Sequence, residues 1–73
     1  MINNKRRKVA MYSLIGVNGN AFSIVSYVSE AMRKSHKTRK EIEVYQNEAL
    51  SSTYEYLLSV SMDMIDSLNQ NSE

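Results

Sequence analysis

At 73 residues and 8.4 kDa, with no Cys and no Pro, the chain has room for one domain, residues 1–73, and neither a disulfide nor a thiolate metal cluster to brace it. Its 42% hydrophobic and 23% charged content exclude a disordered chain; with no apolar run near a membrane span and no signal peptide, it reads as soluble and cytoplasmic. A net charge of +1 conceals an asymmetry, because all nine Lys and Arg fall between Lys5 and Lys40 and seven of the eight acids lie from Glu41 onward.

A domain this small buries only about 60% of the surface its unfolded chain exposes. Its core is thin, so a homo-oligomer is the expected state. Residues 1–8 form a basic arm, Asn3-Asn4-Lys5-Arg6-Arg7-Lys8, that suits either solvent or a run of phosphates. From Val9 to Ile15 apolar residues alternate with period two, which predicts a short strand. No second strand is evident downstream, so its ladder partner is expected to be its own copy in another subunit.

Gly16 and Gly19, the only glycines, lie in the stretch Ser13-Leu14-Ile15-Gly16-Val17-Asn18-Gly19-Asn20-Ala21-Phe22. Asn18-Gly19 is a turn dipeptide, Asn18 and Asn20 can each cap a helix, and the helix start offers unpaired N–H groups. Gly16, Asn18, Gly19, Asn20 and Ala21 are therefore candidates for a phosphate-binding corner, with Tyr12 beside it to stack on a base. The Lys-Ser/Thr of a Walker A loop and the third Gly of a dinucleotide fingerprint are absent. A plain turn explains the same residues.

Three helices follow. The first starts at Ala21 with apolar residues at Ala21, Ile24, Val25, Val28, Ala31 and Met32, widened by Phe22 and Tyr27, and ends in Arg33-Lys34-Ser35-His36-Lys37. Glu30 and Lys34 are spaced for an i,i+4 pair. Arg33 and Lys34 suit the negative end of the helix dipole and are also candidates to hold a ligand's phosphate. Thr38-Arg39-Lys40-Glu41 reads as a capping box opening a second helix with Ile42, Tyr45 and Ala49 inward and Val44 and Leu50 at the edges. Ser52-Thr53-Tyr54-Glu55 reads as a second box, opening a third helix to about Leu68 whose apolar stripe is too broad for one thin core. Part of that stripe is expected to meet another subunit. Asp63 and Asp66 oppose the dipole and call for a basic group from elsewhere, and Asn69 to Glu73 is a polar tail. The fold class is mainly α, with a short N-terminal strand paired between subunits and three helices.

His36, the only histidine, has no acid or nucleophile at a recognisable spacing, and Glu41, Glu48 and Glu55 form no acid pair. No catalytic residue, metal ligand or cofactor is assigned, and an enzyme is not expected. Tyr27, Tyr45, Tyr54 and Tyr56 read as core or interface residues, and Met62 and Met64 as an adaptable contact surface.

Ile15-Gly16-Val17-Asn18-Gly19-Asn20-Ala21-Phe22, then Val28-Ser29-Glu30-Ala31-Met32-Arg33, then Glu48-Ala49-Leu50-Ser51-Ser52-Thr53-Tyr54-Glu55-Tyr56-Leu57-Leu58 resemble a family of small uncharacterised proteins of bacteria and their phages. Its motifs run roughly G-x-D-G-N-A-F and E-A-x-S-G-D-Y-D-H-L-L. The likeness spans about residues 14–58, with Asn18 in place of Asp, Ser52-Thr53 in place of Gly-Asp and Tyr56 in place of His. The resemblance implies a phage or prophage accessory protein in the cytoplasm of a bacterial host, and no mechanism. By analogy of size and assembly with phage cyclic-nucleotide sponges, the expected function is to sequester a phosphorylated signal, a cyclic oligonucleotide, against host defence. The alternatives are nucleic-acid binding through Lys5–Lys8 and Arg33–Lys40, and a helical factor that docks a host protein.

Overall fold

The computed structural model describes residues 12–70. They form α1 (Ala21–Lys34), α2 (Arg39–Ala49) and α3 (Tyr54–Gln70), each packed against the other two. The connections between helices are short, which makes consecutive helices antiparallel and lets α1 and α3 run the same way. None is long and apolar enough to cross a membrane. No strand occurs among the described residues; Val9 to Met11, where the alternation begins, lie outside them, as does the 1–8 arm.

The core follows the helical spacing. Ile24, Val25, Val28, Ala31 and Met32 of α1 meet Ile42, Tyr45 and Ala49 of α2 and Leu57, Ile65 and Leu68 of α3. Two serines share this interior. Ser61 is fully buried, and its hydroxyl shares a hydrogen bond with the Tyr45 phenol at 2.6 Å; Ser29, also buried, accepts from Gln46 Nε2 at 2.9 Å. Each hydroxyl thus has the partner that a buried polar group requires. Burial pushes the Tyr45 phenol above its ordinary pKa, against the opposing effect of the Ser61 hydrogen bond.

The helix ends are closed in three different ways. Asn20 caps α1, its Oδ1 accepting from Phe22 N at 2.9 Å and Ser23 N at 3.4 Å. Thr38 and Glu41 form the expected capping box on α2: Thr38 N donates to Glu41 Oε1 at 2.8 Å and Glu41 N to Thr38 Oγ1 at 3.1 Å. The second expected box does not form. Thr53 takes the cap, with Tyr56 N donating to its Oγ1 at 3.1 Å, so Tyr56 rather than Glu55 sits three residues on. At the far end of α1, Lys37 N donates to Met32 O and His36 N to Arg33 O, both at 3.0 Å, which is the Schellman pattern. His36 occupies its left-handed position at φ 68°, where glycine is the usual residue.

Other details depart from the sequence reading. Glu30 pairs with Arg33 at 2.5 Å rather than with Lys34. Phe22 faces outward, 70% exposed, because it lies on the flank of α1 away from the other helices. Asn69 belongs to α3 and not to a tail: its Oδ1 accepts from Tyr12 N at 2.8 Å and its Nδ2 donates to Tyr12 O at 2.9 Å. Asp63 and Asp66 make no ion pair among the described residues.

Candidate functional site

Gly16 and its neighbours make a turn, with Val17 N donating to Leu14 O at 3.1 Å and Gly16 at φ 87°. That angle favours glycine. Gly19 does not share it: its φ is not positive, and an added Cβ would meet only the Tyr54 hydroxyl, at 3.5 Å. The turn is therefore centred on Ile15-Gly16, three residues earlier than Asn18-Gly19. Asn18 instead folds its side chain onto the chain ahead, Oδ1 accepting from Asn20 N at 2.8 Å.

Some of the donors at this corner are engaged. The amides of Asn20, Phe22 and Ser23 all point at asparagine side-chain oxygens, the latter two at the Asn20 cap. Gly19 contributes its carbonyl, which accepts from the Tyr54 hydroxyl at 2.5 Å and ties the start of α1 to the start of α3. Tyr12 is engaged as well. It packs edge-to-face on Tyr27, ring centroids 6.5 Å apart at 81°, while its backbone is clamped by Asn69 and the Tyr27 hydroxyl accepts from Ser13 N at 3.0 Å.

Arg33 and Lys34 lie at the opposite end of α1 from this corner. At a rise of 1.5 Å per residue, Ala21 and Lys34 are about 20 Å apart along the axis. Tyr12, Gly16, Asn18, Gly19, Asn20, Ala21, Arg33 and Lys34 are thus divided between the two ends of one chain. The segment from Tyr12 to Gly19 spans the same distance, beginning at Asn69 near the end of α3 and finishing at Tyr54 at its start.

Five cations gather at the end of the bundle that holds Arg33, among the carboxylates Glu30, Glu41 and Glu43. Arg33 and Lys34 close α1, Lys37 lies in the connection, and Arg39 and Lys40 open α2. Arg33, Lys37 and Arg39 line a depression of about 530 Å³ with Ile42, Glu43 and Gln46. Its two ion pairs, Arg33–Glu30 and Arg39–Glu43 at 3.8 Å, are exposed and helix-local, and such pairs hold their side chains only weakly. Lys34, Lys37 and Lys40 make no ion pair among the described residues. The result is a volume within the range of small-ligand sites, bordered by three cations and one carboxylate, with an apolar Ile42 in its wall. Of its lining residues, sequence marks Arg33 as a ligand candidate and Lys37 and Arg39 as part of the basic Arg33–Lys40 stretch; Ile42, Glu43 and Gln46 join them because the Schellman turn folds α2 back along α1.

Among the described residues no group of His, Asp or Glu is placed to hold a metal ion. Comparison with protein-family models, with curated proteins and with solved structures finds no match.

Proposed function

We propose that the chain is a binding module for a phosphorylated small molecule, held at the basic end of the bundle rather than at the glycine corner. The observation that carries this reading is the depression lined by Arg33, Lys37 and Arg39, which borders one small volume with three cationic side chains. Arginine forks match phosphate oxygens in pairs, and a pocket of this size accepts a compact ligand rather than an extended strand. A cyclic oligonucleotide is the ligand class that fits the phage setting implied by the resemblance, and retaining it against host defence is the corresponding role.

Calorimetry with cyclic di- and trinucleotides tests the proposal on the intact chain. Binding is expected for the wild type and its loss for Arg33→Ala/Arg39→Ala, while Asn18→Ala at the glycine corner leaves it unchanged. Absence of heat at high micromolar ligand overturns the reading. Nucleic-acid binding is the second reading, favoured by the further cations Lys34 and Lys40 outside the depression. It predicts duplex affinity that falls steeply with salt, with no uptake of cyclic nucleotides.

A further inference from the structure

A separate depression, about 610 Å³, opens between α2 and α3. Tyr45 lies in its floor, and Val44, Tyr56, Val60 and Met64 give it apolar walls, Val44 standing 52% exposed. Two charged residues on its rim are arranged with a symmetry of their own. Lys40, Val44 and Glu48 follow one another at i,i+4 along α2 and so share a stripe of the helix. Each charge is about 6 Å from Val44 along the axis, in opposite directions. A two-fold axis passing by Val44 therefore sets Lys40 of each copy on Glu48 of the other and brings the apolar centres of the two faces together. The Glu48 carboxylate already accepts from the Tyr56 hydroxyl through Oε2, which orients it and leaves Oε1 for a lysine.

We propose that this face docks a second copy of the chain, antiparallel across α2, to give an isologous dimer with reciprocal Lys40–Glu48 pairs around Val44 and Val60. The occupant follows from the charge pattern of the α2 stripe: Lys40 at one end, Val44 at its centre and Glu48 at the other complement themselves under a two-fold rotation, with Lys37, Glu41 and Asp63 also bordering the face. The small size of the domain favours the same occupant, because association adds the apolar burial that 73 residues cannot supply alone. The inference stands apart from the ligand reading, since neither Lys40 nor Glu48 lines the basic depression.

Sedimentation velocity over a dilution series is the test. Wild type is expected to dimerise. Val44→Asp, at an exposed position whose loss leaves the core intact, is expected to sediment as a monomer with unchanged helicity. Lys40→Glu and Glu48→Lys each replace two attractive contacts with two repulsive ones, and each is expected to weaken the dimer about a hundredfold. An equimolar mixture of these two variants restores both pairs and is expected to dimerise again. A wild type that is monomeric throughout, a dimer that survives Val44→Asp, or single variants that fail to recover on mixing would each overturn the proposal.

Discussion

Replacing His36 with glycine should stabilise the protein. His36 is held at φ 68° by the two hydrogen bonds that close α1, Lys37 N to Met32 O and His36 N to Arg33 O, and its side chain is exposed. A left-handed conformation costs a residue with a Cβ roughly 1–2 kcal/mol, and glycine returns part of that gain, roughly 0.5–1 kcal/mol, through the greater freedom of its unfolded chain. The net expected for His36→Gly is a stabilisation of about 0.5–1 kcal/mol. For a domain of this length that corresponds to a rise in Tm of roughly 2–8 °C. Thermal unfolding followed by circular dichroism reads it directly, with urea titration to check that the m-value is unchanged. His36→Val makes the opposing control, because a β-branched residue tolerates this backbone region least, and it should lower Tm. If glycine leaves Tm unchanged or lowers it while valine is harmless, the left-handed cap does not limit the stability of α1.

Three further outcomes follow from the hydrogen bonds and turns. Gly16→Ala should cost roughly 1–2 kcal/mol because Gly16 sits at φ 87°, whereas Gly19→Ala should change stability little, its Cβ meeting only the Tyr54 hydroxyl at ordinary contact distance; paired denaturation curves distinguish them. Tyr45→Phe strands the fully buried Ser61 hydroxyl and should cost about 1–3 kcal/mol, part of which Ser61→Ala in the same chain should recover; a double-mutant cycle without coupling would contradict this. Glu41 is held below the ordinary glutamate range, chiefly by the Thr38 backbone N–H and then by its hydroxyl. Because the folded value is the lower one, the box stabilises α2 above the unfolded value and its contribution is lost as pH falls through the folded value. In Glu41→Gln that part of the acid-side loss should vanish from a pH series of unfolding curves.

Apolar spacing was enough to locate the three helices and nearly all of their inward faces, since Ile24, Val28, Met32, Ile42, Tyr45, Leu57 and Leu68 recur with the helical period and all are buried. The Thr38 box was legible for the same reason, because its two partners are local in sequence. Long-range partners were not. Nothing near Asn69 marks it as the clamp for Tyr12, and nothing near Ser61 announces Tyr45; a faint signal was that Ser61 falls four residues after Leu57 and four before Ile65, within the buried stripe. The end of α1 was placed correctly but its mechanism was hidden, because the glycine that advertises a left-handed cap is replaced by His36. The candidate site shows the same division. Asn20 caps α1 as its type and position suggest, and that cap takes up the Phe22 and Ser23 amides while Asn18 takes up the Asn20 amide. Arg33 joins Lys37 and Arg39 only once α2 folds back, a relation that spacing along the chain does not express.

The clamp between Tyr12 and Asn69 also decides where on the bundle the described residues begin. Because α1 and α3 run in the same direction, Asn69 lies at the end of the molecule where Arg33 and Lys34 finish α1. Tyr12 is thereby moored to the pole where α1 finishes, and the segment from it to Gly19 must cross the length of the bundle before α1 can begin. A pair of amide hydrogen bonds thus fixes where that crossing starts, and Asn69→Leu would release it without altering a single charge.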